Sequence, residues 1–268
     1  MKIFQILATA ILLMALLTSC EKELEIRYHD IDPLTVIEAE LTPDGARVGI
    51  TMTTPMDEPM DLTRLTDATV TLADLTDGTL VSLSADADGF FRDPTPGVVG
   101  HDYRLTVVRG GAVYEAEATM YPQVEILGLE FNWIQMPYDH VAVLQGQFTD
   151  IPGQDDYYWI KLYRNGEIYQ WGEMNDKGVE DGILTFITMT SRRDTDEEDD
   201  EDVLYDGDTM TATVTPVSRA MFDYLEALQN DSNGPAMFSG DRCLGYFLAT
   251  SPVSRTITFH PDEIPDFQ

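Results

Sequence analysis

Cysteine is nearly absent from this sequence. Only Cys20 and Cys243 occur among the 268 residues. A small secreted domain held by disulfides needs several cysteine pairs, so a disulfide framework is excluded and the fold must depend on core packing. Cys243 lies in the strand-like run 242–247. This position favours a small buried side chain over a reactive nucleophile.

Basic residues are also scarce. The chain has 16 Lys and Arg residues against 48 Asp and Glu residues, and its formal net charge is −32 at pH 7. A surface of this charge repels the phosphates of nucleic acids and anionic lipid headgroups. The sequence therefore predicts no nucleic-acid partner, and it favours contact with divalent cations.

Recognisable catalytic motifs are missing as well. The four histidines are His29, His101, His140 and His260. They are far apart in the sequence, and no two of them have the spacing of metal ligands. The sequence has no nucleophile elbow, phosphate loop or dinucleotide fingerprint. Acidic residues are so numerous that a pair of them carries no information about glycoside hydrolysis. We therefore expect a non-enzymatic protein. The remote alternative is a hydrolase, which would need buried carboxylates of perturbed pKa in a cleft.

The N-terminal residues are mostly apolar. Lys2 is followed by the apolar run 3–17 and then by Thr18-Ser19-Cys20. This is the anatomy of a secretory signal, whereas a membrane-spanning helix, the alternative, needs about 20 apolar residues. Small residues directly before a cysteine resemble a bacterial lipobox. The resemblance implies that residues 1–19 are a signal peptide and that Cys20 carries diacylglyceryl and further acyl (palmitate-type) chains.

Acidic residues follow Cys20 directly, in the run Glu21-Lys22-Glu23-Leu24-Glu25. Such a run resembles the export signal that sends lipoproteins of Bacteroidetes to the cell surface, although a simple solvated tether is the alternative. We expect residues 20–32 to form a lipidated tether. Several acyl chains anchor a protein durably, so Cys20 would hold the protein on the outer membrane, facing outside the cell.

Short β-branched segments separated by turn signals extend over residues 33–121. The turn signals include Asp77-Gly78 and Gly110-Gly111. About seven strands in this length are typical of an immunoglobulin-like or fibronectin-like β-sandwich. Tyr103 is a candidate tyrosine corner, whose hydroxyl would bond to the backbone of the loop before it.

Longer strands follow Tyr121-Pro122, where we place a domain boundary. Asn165-Gly166 predicts a tight type I′ hairpin. A helix at about 218–229 is predicted from a capping serine, Ser218, and from helical spacing of apolar residues. These apolar residues are Met221, Phe222, Leu225 and Leu228. Residues 122–268 therefore predict a second β domain with one inserted helix.

The most acidic stretch is the run 194–202, in which eight of nine residues are Asp or Glu. One interpretation is a divalent-cation site, most simply for calcium, at its centre. The residues in question are Asp196, Glu197, Glu198, Asp199 and Asp200. The other interpretation is a solvated loop, because blocks of like charge repel each other and a calcium site needs neutral oxygens and rigid geometry. Calcium is the single cofactor that the sequence suggests.

Aromatic residues are concentrated in one predicted hairpin. They are Tyr157, Trp159, Tyr163, Tyr169 and Trp171. The first three share one strand face, while Tyr158, Ile160 and Leu162 share the other. Both faces are therefore apolar. Either the strand is buried on both sides, or one face is a platform for a glycan or a protein partner.

Several segments, in order along the chain, resemble one family of Bacteroidetes lipoproteins, catalogued as domain of unknown function 4249. The matching segments are the lipobox with its acidic tail, 67–70, 97–103, 208–209, 217–224, 244–247 and 254–256. The resemblance implies outer-membrane lipoproteins that are often encoded near TonB-dependent transporters and have no established activity. It implies no functional residues, and the run 194–202 is not part of the family pattern.

These observations favour a lipid-anchored binding accessory of a TonB-dependent transporter, which would capture or present a nutrient without chemistry. The first alternative is a structural or adhesive surface module, because sandwich domains serve as spacers. The second is a calcium-responsive binder.

Overall fold

The computed structural model describes residues 32–55, 58–59, 62–137, 139–179, 181–192, 203–232 and 234–265. Over these residues the chain is mainly β, with sixteen strands and a single α-helix, which confirms the predicted fold class. No helix in these ranges is both long enough and apolar enough to cross a membrane.

The first seven strands lie between residues 35 and 119, as the sequence predicts. They are β1 (Thr35–Thr42), β2 (Gly45–Met52), β3 (Thr69–Asp74), β4 (Leu80–Ala85), β5 (Phe91–Asp93), β6 (Asp102–Arg109) and β7 (Ala112–Thr119). Six strands follow: β8 (Ile126–Met136), β9 (Asp139–Thr149), β10 (Tyr157–Arg164), β11 (Glu167–Asn175), β12 (Ile183–Arg192) and β13 (Thr209–Val217). The chain continues with α1 (Arg219–Gln229), β14 (Ser239–Gly240), β15 (Cys243–Ala249), β16 (Val253–Thr258) and a 3₁₀ turn (Pro261–Glu263).

The first sheet has nine strands in the order β14-β7-β6-β3-β4-β5-β2-β1-β15. Alternate residues of each strand point to one face, and in β1 those at Ile37, Ala39 and Leu41 are fully buried. One core contains residues from strands near both ends of the sheet, including Tyr114 of β7 and Phe247 of β15. The sheet is therefore curled around a single core.

Strand β15 joins this sheet by parallel pairing with β1, from Thr35 opposite Cys243 to Leu41 opposite Ala249. The sequence predicts a second domain over 122–268, yet this strand from that range belongs to the first sheet. A pairing between strands so far apart in the chain leaves no local signal. The division of the chain at residue 121 stays a prediction. The pairing of β15 with β1 joins the two predicted domains.

The remaining strands form a four-stranded sheet, β11-β10-β13-β16, and a three-stranded sheet, β12-β9-β8. Both sheets contribute to one core, with Tyr158 and Met210 from the first and Trp133 and Phe148 from the second. The hairpin between β10 and β11 turns at Asn165-Gly166 with φ angles of 51° and 90°, as the type I′ prediction requires.

Helix α1 begins after Ser218, whose hydroxyl accepts a hydrogen bond from the Met221 N–H at 3.2 Å. This confirms the predicted cap and helix. Met221 and Leu225 are buried, but Leu228 is 50% exposed, so the predicted apolar face is one residue too long. The predicted tyrosine corner is also confirmed, because the Val98 N–H donates to the Tyr103 hydroxyl at 2.8 Å.

Asp208 attaches the β10–β11 hairpin to the start of β13. Its Oδ2 accepts hydrogen bonds from Arg164 Nη2 at 2.7 Å and from the Tyr205 N–H at 2.9 Å, and its Oδ1 accepts one from Asn165 Nδ2 at 2.7 Å. Burial alone would raise the pKa of Asp208. The hydrogen bonds outweigh burial and hold this pKa below the ordinary value of 3.8.

We expect Asp208→Asn to lower the free energy of unfolding by about 2 kcal/mol at neutral pH, because the amide loses charge-assisted hydrogen bonds. A depressed folded-state pKa means that this stabilisation is present above 3.8 and is lost as pH falls through the folded-state pKa. Urea unfolding at about pH 7 and pH 3 measures the difference. The exposed Asp88, changed to Asn, is the matched control. A loss of equal size at both pH values would contradict the assignment.

Candidate functional site

Helix α1, β10 and β15 meet at a small core that we call the junction. Its buried members are Tyr157, Val217, Met221, Leu225 and Leu248. Side chains alternate along β10. Tyr158 and Ile160 therefore enter the core between the two smaller sheets, while Tyr157 and Trp159 face the junction. The junction therefore packs the first sheet, through β15, against the second half of the chain.

Three of the five predicted aromatic residues come together at the junction. Tyr157 is 9% exposed, and its ring lies 5.0 Å from that of Phe222. Trp159 is half-buried and makes edge-to-face contacts with Trp171 at 6.2 Å and with Tyr246 of β15 at 5.8 Å. Contacts of this kind stabilise a packed surface.

The other two aromatic residues lie elsewhere. Tyr169 is next to an irregularity in the β10–β11 register, contacts the core between the two smaller sheets and donates a hydrogen bond to the Thr190 carbonyl at 3.3 Å. Tyr163 lies further along β10, where burial and the nearby Glu40 carboxylate raise its pKa. The five residues thus do not form one surface. Whether those at the junction bind a ligand stays a prediction.

A row of buried polar atoms crosses the sheet at Trp159. Glu173 of β11 and Thr215 of β13 are its direct cross-strand neighbours. Trp159 Nε1, Glu173 Oε2 and Thr215 Oγ1 are all buried, and none has a hydrogen-bond partner. An unpaired buried polar atom costs about 1–3 kcal/mol. The row offers an indole donor, a carboxylate acceptor and a hydroxyl group beside aromatic rings, which is a suitable arrangement for a small polar ligand.

Lys161 adds a positive charge two residues further along β10. Its Nζ lies 3.9 Å from the centre of the Trp159 ring and 3.7 Å from Glu40 Oε1 of β1. The lysine therefore links the two halves of the chain by a cation–π contact and an ion pair. Its side chain is 16% exposed, so the charge is shielded from solvent.

A cleft of about 490 Å³ opens next to the junction. It is lined by strands of the first sheet, by Ser218 and Ala220 at the start of α1, and by Met237. Its volume lies within the usual range of small-molecule sites, about 300–1,000 Å³. Tyr121 also lines the cleft, and burial raises its pKa.

The other predicted site residues are outside this region. Cys20 and the acidic residues from Asp196 to Asp200 lie outside the described residues. Cys243 is half-buried on β15, and burial raises the pKa of its thiol to about 11. The thiol is therefore protonated at neutral pH, as expected for a packing residue.

Sequence motifs do not identify two groups of residues in this region. Glu173 and Thr215 carry no sequence signal of their own, but the Asn165-Gly166 hairpin fixes the strand that faces Trp159. The same hairpin places Asp156 beside Asp176, which belong with Asp150 to a group of three carboxylates. Counting residues outward from the turn would have missed this pair by one residue, because the register shifts between Leu162 and Tyr163.

Comparison with known proteins identifies the family of this chain. No curated protein matches the chain. A family model, described as Domain of unknown function (DUF4249), matches residues 21–255. The match includes β1 to β15, helix α1 and the first part of β16. Because the match covers most of the sequence, the chain belongs to the family described as Domain of unknown function (DUF4249).

Proposed function

We propose that this chain is a non-enzymatic lipoprotein of the bacterial outer membrane, of the kind found in Bacteroidetes. Cys20 would carry the lipid, and the protein would face outside the cell. It would capture or present a nutrient for a TonB-dependent transporter. The observation that carries the binding role is the row of three buried, unpaired polar atoms at the junction.

This row supports binding because its groups are fixed before any ligand arrives. Trp159 is held by ring contacts on two sides, and Thr215 is 2% exposed in the middle of a sheet. Groups held in this way need little reordering on binding, which favours affinity for a small polar molecule. The cleft next to the junction has Leu248 of the junction in its wall, although none of the three residues of the row lines it.

The test is a mild-detergent pull-down of the tagged, lipidated chain from native outer membrane, with bound proteins identified by mass spectrometry. We expect a TonB-dependent transporter in stoichiometric amount. Cys20→Ala should remove the protein from the membrane fraction and from the transporter, because alanine cannot carry the acyl chains that anchor the protein. Cys243→Ala is the matched control and should keep both. A preparation of the wild-type chain without any partner would contradict the accessory role.

A second candidate function is a structural or adhesive surface module. The observation that favours it is the parallel pairing of β15 with β1, which makes the first sheet depend on strands from both ends of the chain. Such an arrangement resists separation of the two halves. A partner-free pull-down together with loss of cell adhesion on deletion of the protein would support this function instead.

A further inference from the structure

Three aspartates converge at the end of the β10–β11 hairpin. Asp150 directly follows β9, Asp156 directly precedes β10, and Asp176 directly follows β11. Pairing of Tyr157 with Asn175 places the last two side by side, and the Asp176 N–H donates to the Asp156 carbonyl at 3.2 Å. One carboxylate oxygen from each aspartate lies within 4.8 Å of the others.

This spacing suits a single ion. Calcium binds oxygen at about 2.3–2.6 Å, so two oxygens on the same ion are at most about 5 Å apart. The side-chain ligands are all carboxylates, with no cysteine or histidine among them. Such a set selects hard cations such as calcium over zinc or copper.

The second observation is an unpartnered buried oxygen. Asp156 is 3% exposed, and its Oδ1 accepts a hydrogen bond from Gln154 Nε2 at 2.7 Å. Its Oδ2 is buried and has no hydrogen-bond partner. Among the described residues, no basic side chain forms an ion pair with any of the three aspartates. A buried carboxylate with one oxygen unbonded and with no counter-charge is unfavourable, so Oδ2 points to a missing positive partner.

The surrounding contacts hold the aspartates close together in spite of their charges. Asp150 Oδ1 accepts a hydrogen bond from the Tyr158 hydroxyl at 2.8 Å, and that hydroxyl also accepts from the Ile151 N–H at 3.2 Å. Burial, reinforced by the Asp150 and Asp176 charges, raises the pKa of Asp156 to about 6. The protein thus keeps three aspartates together, and among the described residues no basic side chain neutralises their charge.

A similar group elsewhere in the chain shows the contrast. Asp74, Asp77 and His101 also lie within 4.8 Å of one another. There the Asp74 Oδ1 accepts from the N–H groups of Thr76 and Asp77, and its Oδ2 lies 2.7 Å from His101 Nδ1. Both oxygens therefore have partners, one in the turn and one in His101, and the group needs no ion.

We propose that Asp150, Asp156 and Asp176 bind one divalent cation of the calcium type. The ion would connect the end of β9, in the three-stranded sheet, with the end of the β10–β11 hairpin, in the four-stranded sheet. It would act as a brace between the two sheets. This site is distinct from the acidic run 194–202 and does not depend on the proposed transport role.

The test is calorimetric titration of the lipidated full chain, freed of metal and held in a non-ionic detergent, with calcium chloride. We expect one binding event of micromolar to millimolar affinity that Asp156→Asn weakens at least about tenfold. Asp77→Asn is the matched control from the other group and should leave the affinity unchanged. Absence of uptake at millimolar calcium would overturn the proposal.

Thermal unfolding separates loss of the site from loss of the fold. Calcium should raise the melting temperature of the wild-type chain and leave that of Asp156→Asn unchanged. In chelator, Asp156→Asn should melt no lower than wild type, because it removes an uncompensated buried charge. A second variant has Asn or Gln at positions 196–200. If this variant loses calcium binding while Asp156→Asn keeps it, the site is the acidic run and the proposal fails.

Discussion

Replacing Gly245 by alanine is expected to destabilise the protein by about 4 kcal/mol. Gly245 has a φ of +103°, and a Cβ there would lie 2.0 Å from the Ile37 carbonyl oxygen and 2.7 Å from its carbon. The positive φ costs a side chain about 1–2 kcal/mol, and the overlap adds about 1–3 kcal/mol. The overlapping atoms belong to the backbone of β1, so they cannot move without disturbing the pairing of β1 with β15.

The effect should reach beyond the site of substitution. Strand β15 follows α1 and the short strand β14 in the chain, and Leu248 of β15 is part of the junction together with residues of α1. Separation of β15 from β1 would therefore loosen the first sheet and the junction together. We expect hydrogen exchange in Gly245→Ala to accelerate at the β1 amides and also at the amides of α1.

Urea unfolding of Gly245→Ala measures the loss of stability. Gly111→Ala is the matched control, because Gly111 has a φ of +91° but a Cβ there would meet nothing within 4 Å. The control should lose only about 1 kcal/mol, the cost of the backbone conformation alone. Equal losses in the two variants would mean that β15 does not lie against β1 as described.

Local signals made much of the fold predictable. Asn165-Gly166 and Gly110-Gly111 each combine residues that tolerate positive φ with alternating flanks, and each does form a hairpin. Ser218 caps the predicted helix, and Tyr103 bonds back to Val98. In all four cases the chemistry lies within a few residues, so one stretch of sequence contains the whole reason for the structure.

Long-range pairing could not be predicted in the same way. The parallel contact of β1 with β15 joins two apolar strands that have many equivalent partners in the chain, and nothing in 243–249 selects Thr35–Leu41. The positions of the five aromatic residues could likewise be predicted only in part. Alternation predicts that Tyr157 and Trp159 share a face, but the irregularity near Tyr163 sends Tyr169 into another core. Irregularities of register have no reliable sequence signal.

The core between the two smaller sheets provides the second large effect. Gly146 of β9 lies opposite Phe186 of β12 and Leu129 of β8. A Cβ at Gly146 would lie 2.1 Å from Phe186 Cζ and 2.2 Å from its Cε1, so the phenyl ring covers the glycine. Phe186 is 7% exposed, and its ring has little room to move. We expect Gly146→Ala to cost about 3 kcal/mol through overpacking of this core.

A double-mutant cycle shows whether the ring causes that loss. Phe186→Leu shortens the side chain and should cost about 1–2 kcal/mol by itself. Combined with Gly146→Ala, it leaves space for the new methyl group, so the double variant should lose at least about 1 kcal/mol less than the sum of the two. Gly128→Ala on β8 is the matched control, since a Cβ at Gly128 would meet nothing within 4 Å. Urea unfolding of all four variants supplies the numbers. Additive losses, or a control as unstable as Gly146→Ala, would mean that the Phe186 ring does not lie over Gly146.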